Sequence, residues 1–125
     1  MAGKPRILIV EDDPFMADIM VRKFGDGGFE VIHAPNGEEA LKRAAEQMPD
    51  IISLDVMLPG IDGYEVLRRL KADNDLAKIP VIVCSNIGND EDIQKAKELG
   101  ALDYFVKISV DFTDLIATFR RACSK

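Results

Sequence analysis

The chain has little histidine and cysteine: one histidine, His33, and two cysteines, Cys84 and Cys123. That poverty excludes a zinc centre built on these ligands. A Ser-His-acid triad would have to use His33, which falls on a strand away from the candidate site described below. Two cysteines make no disulfide framework, so reduced thiols in a cytoplasmic setting are expected. No apolar run approaches the ~20 residues that cross a bilayer. The start, Met1-Ala2-Gly3-Lys4-Pro5, leads straight into a strand, with no signal peptide expected. Glycine-rich phosphate loops are missing too. Where a dinucleotide fold wants G-x-G-x-x-G after its first strand, this chain has Glu11-Asp12-Asp13-Pro14, and no G-x-x-x-x-G-K-[ST] occurs. No linker, repeat or low-complexity tract divides the sequence, so one domain over residues 1–125 is expected. Positive charge is also short, with 16 Lys and Arg against 22 Asp and Glu and a net charge of −6. That balance argues against direct nucleic-acid or membrane binding.

What remains is a chain of 125 residues, 47% hydrophobic, long enough to close one core. Its apolar residues fall into two rhythms. Ile7 to Val10, Ile51 to Leu54 and Pro80 to Cys84 are near-continuous apolar runs, as suits parallel strands covered on both faces. Phe29 to Ala34 alternates more and carries Glu30 and His33, as an edge strand does. Tyr104 to Val106 is a short fifth strand. Between them lie helical spacings. Met16, Ile19, Met20 and Phe24 follow an Asp13-Pro14 cap, with Gly25 to Gly28 as the stop. Ala40, Leu41, Ala44 and Met48 follow Asn36 with Glu39 at the capping-box position. Val66, Leu67 and Leu70 follow Asp62-Gly63. Asn89 opens a fourth helix rich in acids at its positive end. Phe112, Leu115, Ile116 and Phe119 line a fifth. The alternation predicts an α/β fold: five parallel strands in the flavodoxin-like doubly wound order 2-1-3-4-5, with five helices on the two faces.

In that order the first and third strands are neighbours, and their carboxyl ends flank the crevice where open α/β sheets place ligands. The first strand ends in Glu11 and Asp12, the third in Asp55. Three converging carboxylates repel one another unless a cation lies between them. A hard divalent ion that takes oxygen ligands and keeps several waters fits best, so Mg²⁺ is expected. Ser85 and Lys107 arrive from the fourth and fifth strands on the other side of Asp55. They bring a hydroxyl and a cation suited to an anion on that residue.

The constellation resembles the receiver domains of two-component response regulators, of the chemotaxis-regulator type. The likeness covers essentially the whole chain. It rests on Ile7-Leu8-Ile9-Val10-Glu11-Asp12-Asp13-Pro14, on Asp55 with Leu58-Pro59-Gly60-Ile61-Asp62-Gly63, on Ser85, and on Tyr104-Phe105-Val106-Lys107. The resemblance implies that Asp55 accepts a phosphoryl group, with Ser85 and Lys107 binding its oxygens. It implies that Glu11, Asp12, Asp55 and the backbone carbonyl of Met57 hold Mg²⁺, and that Ser85 and Tyr104 form the switch. The implied partners are a histidine kinase or phosphotransfer protein upstream and an output protein or effector domain downstream. External substrate turnover is not implied. Two departures are visible: Ser85 is the less bulky choice at the family's threonine-or-serine position, and Ile108 stands where the family has proline after the lysine. A cis bond before isoleucine costs about 3–4 kcal/mol, so a trans peptide is expected at Lys107–Ile108.

Two other readings compete. An aspartate-nucleophile phosphatase would want a second acid two residues after Asp55, where this chain has Met57. A pseudo-receiver scaffold would show a damaged pocket. The structurally neutral assignments are His33 on an edge-strand surface, Met16 and Met20 in the core, and Arg68, Arg69, Lys71, Arg120 and Arg121 on solvated helix faces.

Overall fold

Apolar strands alternating with one-sided helices build five β-α units, described over residues 3–123 of a computed structural model. Met1, Ala2, Ser124 and Lys125 lie outside the described residues, and with them both ends of the expected domain and the first two residues of the expected leaderless start. β1 (Arg6–Val10), β3 (Ile51–Leu54) and β4 (Val81–Ser85) are buried almost throughout. β2 (Glu30–Ala34) and β5 (Asp103–Val106) are partly exposed. All pairings are parallel and the order is β2-β1-β3-β4-β5, as the composition of the strands demands. The direction of winding reverses between β1 and β3.

Five helices cover the sheet: α1 (Pro14–Asp26), α2 (Gly37–Gln47), α3 (Gly63–Ala72), α4 (Asp90–Glu98) and α5 (Phe112–Cys123). Because strand side chains alternate, Ile7 and Ile9 face one way and Leu8 and Val10 the other. The first pair packs with Met20 and Phe24 of α1 and Leu115 and Phe119 of α5. The second packs with Ala40 of α2, Val66 and Leu67 of α3 and Ala96 of α4. Phe24 meets Phe119 and Phe29 edge to face, with ring centroids 5.0 and 5.4 Å apart. Each helix start has a side chain that accepts a first-turn N–H: Asp13 from Phe15, Asn36 from Glu39, Asp62 from Glu65, Asn89 from Asp92 and Asp111 from Thr113. Glu65 does not return the bond, because Arg68 and Arg69 hold its carboxylate.

Several sequence expectations need correction. Met48 does not belong to the inner face of α2. It is the left-handed C-cap (φ 45°) and is exposed, because an apolar residue at the end of the periodic run can also be the residue that stops the helix. Phe29 and Pro80 fall just outside their strands, and Ser85 falls inside β4. Arg120 is not simply solvated: its guanidinium donates to the Gly27 carbonyl at 2.6 Å and joins α5 to the end of α1. Lys71 is likewise not simply solvated, since its ammonium donates to the carbonyls of Ala77 and Ile79. Those carbonyls belong to a 3₁₀ turn, Leu76–Lys78, and its close, with no periodic signal in the sequence.

α4 buries only Ala96 among its residues, so polar contacts matter in seating it. The Tyr64 hydroxyl donates to Asp92 Oδ1 at 2.6 Å, and Lys95 Nζ lies 4.2 Å from the centroid of the same ring. Burial and then the Asp92 bond push the Tyr64 phenol above its usual range, so it remains a donor across the working pH range. Tyr64→Phe is therefore expected to cost about 1 kcal/mol, read by urea denaturation, and to speed amide exchange in α4. Unchanged exchange there would show that α4 is seated by other contacts.

Candidate acid-cluster site

β1 and β3 deliver their acids because the ladder runs on past the strands. The Glu11 N–H donates to Ala34 O at 3.1 Å, and the Asp55 N–H to Val10 O at 3.2 Å. Asp13 is occupied in capping α1. One carboxylate oxygen from each of Glu11, Asp12 and Asp55 lies within 4.8 Å of the others. Glu11 and Asp55 are buried, while Asp12 is open to solvent. Their crevice, about 230 Å³, is also lined by Asp13, Met16, Met57, Asn86 and Lys107.

Lys107 enters from the end of β5 and bridges two acids, bonding to the Glu11 carboxylate and to Asp55 Oδ2 at 2.8 Å. Asp55 Oδ1 accepts the Met57 N–H at 2.9 Å, and Glu11 Oε2 accepts the Asp13 N–H at 3.1 Å. Burial works against the Lys107 charge, yet its bonds to Asp55 and Glu11 hold its ammonium above the usual lysine range. Burial raises the Glu11 carboxyl, against the pull of Lys107. The Lys107 direction reflects the carboxylates around it, and the Glu11 direction reflects burial. Three formal carboxylates and one ammonium leave two negative charges, and the donors are all hard oxygens. That set fits a divalent cation such as Mg²⁺.

The other candidates divide. Ser85 is wholly buried, and its Oγ accepts the Ile87 N–H at 3.3 Å; the crevice-lining residue of that loop is its neighbour Asn86. Tyr104 is half-buried and its hydroxyl donates to the Ile87 carbonyl at 2.6 Å, so it is tied to the loop that follows Ser85. Met57 is 55% exposed at the mouth. No peptide bond among the described residues is cis, so Lys107–Ile108 is trans as expected, and residues Lys107–Ser109 form a 3₁₀ turn.

Two contributors escaped the sequence reading. His33 is not a free surface residue. It is half-buried, and its ring Nε2 lies 2.8 Å from the Glu11 carbonyl oxygen. Nothing in the sequence marks that reach between strands. Gly63, at the start of α3, is pressed onto the main chain of Asp55 and Val56 and donates its N–H to Val56 O at 3.0 Å. Its signal was the Asp62-Gly63 pair, legible as a helix start but not as a packing constraint.

The family model for the response regulator receiver domain matches residues 7–120. The DNA-binding dual master transcriptional regulator RpaA of Synechocystis is 36% identical over 116 residues, 93% of this chain and 48% of that protein. The sporulation initiation phosphotransferase F of Bacillus subtilis is 37% identical over 102 residues, 82% of this chain and 81% of that protein. The chain spans about half the length, or less, of RpaA and the other first curated relatives it matches. Among solved structures, the receiver domain of the sensor histidine kinase PA1611 from Pseudomonas aeruginosa has a magnesium ion coordinated in its active site cleft. It aligns with a TM-score of 0.89 at 27% identity, covering 99% of this chain and 100% of that one.

Proposed function

The chain belongs to the response regulator receiver domain family, and from that premise we propose that it is a phosphorylation-dependent switch whose acceptor is Asp55. The observation that carries the reading is the placement of Asp55: a buried carboxylate at a strand end, between two other acids and the Lys107 ammonium. The donor is a phosphohistidine on a histidine kinase or phosphotransfer protein. A carboxylate oxygen of Asp55 forms the bond to phosphorus as the phosphorus–nitrogen bond breaks, and the electron pair returns to the donor imidazole. Lys107 turns from Asp55 to a phosphoryl oxygen, and the Ser85 hydroxyl donates to another. Glu11, Asp12, Asp55 and the Met57 carbonyl would hold Mg²⁺, which when bound supplies neutralising charge to the phosphoryl oxygens. Intact-mass measurement after treatment with a small acyl phosphate tests the assignment.

Docking of the donor is supported by apolar residues around the crevice. Phe15, Met57 and Ile108 are 74%, 55% and 83% exposed, and each stands within two residues of Asp13, Asp55 or Lys107. Once formed, the aspartyl phosphate adds about −1.5 to −2 charges. Drawing the loop after Ser85 toward it loads the Tyr104–Ile87 bond, which biases the α4–β5–α5 surface read by an output protein or effector domain. A shift from 1:99 to 99:1 needs roughly 5.5 kcal/mol of differential interaction. Charge-assisted bonds from Lys107 and Ser85 are suited to provide much of it. The setting is cytoplasmic. Among the described residues no helix is long and apolar enough to cross a membrane. Direct nucleic-acid binding is not part of the role of this acidic chain. External turnover is not expected, because Met57 holds the position where an aspartate phosphatase has its second acid.

Met57 also bears on how long the phosphoryl group survives. Hydrolysis needs a water in line with the oxygen–phosphorus bond, and an apolar side chain at the mouth cannot orient one. Ile87, the other residue two positions beyond a site group, packs against the core cluster of Val66 and Leu67. Its loop carries the structural load, so Met57 is the position to change. Met57→Asn is expected to shorten the lifetime about tenfold, or about 1.4 kcal/mol of barrier, measured as phosphate release in Mg²⁺. Equal rates would refute a water-placing role for this position.

A further inference from the structure

We propose that His33 is a positioning residue for the acid cluster, fixing the main chain that presents Glu11 and Asp12 to a divalent cation. β2 ends at Ala34, and Asn36, whose N–H the parallel ladder would next give to the Glu11 carbonyl, serves as the N-cap of α2. The donor that reaches the Glu11 carbonyl is instead the His33 ring, 2.8 Å away. A carbonyl oxygen only accepts, so Nε2 carries the proton. His33 is in register with Ile9, and Glu11 lies two residues further on the same face of the sheet, so the ring needs only to lean along the strand. Glu11 is thereby fixed at every polar group. Its N–H bonds Ala34, its carbonyl bonds His33, and its two carboxylate oxygens bond Lys107 and the Asp13 N–H. The peptide that His33 restrains leads directly into Asp12, the open acid of the three. A rotation of that peptide would carry the Asp12 carboxylate away from Glu11 and Asp55, and the histidine prevents it without touching the ion.

The inference rests on the reading of the acid cluster as a cation site, and the test separates the two. Mg²⁺ binding is measured by calorimetry on the whole chain for wild type, His33→Phe, His33→Gln and Asp12→Asn. Outer-shell donors that hold a ligand side chain are worth about 10- to 100-fold in metal affinity. His33 acts through the backbone, so His33→Phe is expected to weaken Mg²⁺ binding about 5- to 10-fold. His33→Gln, whose amide can donate from a similar distance, should bind within about twofold of wild type. Thermal unfolding of each variant is recorded in parallel. A merely structural histidine would lower the midpoint of His33→Phe yet leave the Mg²⁺ affinity of the folded protein unchanged, and that result would overturn the proposal. Equal losses in the Gln and Phe variants would overturn it as well. If Asp12→Asn bound Mg²⁺ as tightly as wild type, the cluster would not be the site and the inference would fall with it.

Discussion

A small acyl phosphate in Mg²⁺ is expected to add one phosphoryl mass to the wild-type chain and none to Asp55→Asn, and a chelator should abolish the wild-type labelling. The expectation follows from charge. The incoming phosphoryl group brings negative oxygens to a crevice that already has two negative charges in excess, with Glu11 and Asp55 buried. At about 4 Å and an effective dielectric near 20, each uncompensated pair costs roughly 4 kcal/mol. Lys107 cannot cancel this alone, because it is already shared between Glu11 and Asp55. A cation held by the acids removes most of the repulsion, so labelling should rise by at least about 100-fold between chelator and Mg²⁺ if even 2.8 kcal/mol is recovered. Asp55→Asn keeps the shape of the site and removes the nucleophilic oxygen. Lys107→Met should label more slowly than wild type while still depending on Mg²⁺, which separates its role from that of the cation. Labelling of the Asn variant to the wild-type extent would sink the acceptor assignment.

The residues that define the acid cluster were legible for a simple reason. A buried parallel strand is an uninterrupted apolar run, so Val10 to Glu11 and Leu54 to Asp55 are abrupt changes in polarity that mark the carboxyl ends of the strands, although both acids are themselves buried. Strand order then placed those ends side by side, and the edge character of β2 supported the order independently. The caps were legible because Asp13, Asn36, Asp62 and Asn89 act on N–H groups two or three residues away. What did not show was anything that depends on reach across strands or on close main-chain packing. His33 bonds a residue 22 positions away, and no local pattern distinguishes that from a solvent-facing histidine. The Lys107–Glu11 bond has the same character: proximity to Asp55 followed from the strand order, but the bridging geometry did not. Met48 failed in the opposite sense, because its position in the helical rhythm was correct and its backbone conformation was not.

Gly63 is where local structure and the site are most tightly joined, and Gly63→Ala is expected to destabilise the protein by about 3 kcal/mol. In an ordinary helix the same change would help, by up to about 1 kcal/mol. Here the added methyl would land against the Asp55 carbonyl oxygen and the Val56 Cα, with the Asp55 carbonyl carbon only 2.9 Å away. Those are main-chain atoms, so no side-chain rotation can relieve the clash. Either α3 withdraws from the sheet, opening the contacts of Val66 and Leu67, or the Asp55–Val56 peptide shifts and takes the carboxylate with it. The Gly63 N–H bond to Val56 O, at 3.0 Å, is lost by the same movement. For a chain of this size, 3 kcal/mol corresponds to a fall of roughly 10 °C in Tm. The second consequence sets this apart from an ordinary overpacking variant: the folded fraction should also bind Mg²⁺ more weakly, because Asp55 has moved relative to Glu11 and Asp12. Leu67→Ala serves as the comparison. It leaves a cavity against the same core at a cost of about 2–5 kcal/mol, without touching the Asp55 main chain. Equal Mg²⁺ affinity in the folded Gly63→Ala and Leu67→Ala proteins would show that α3 yields rather than Asp55, and that the glycine serves packing alone.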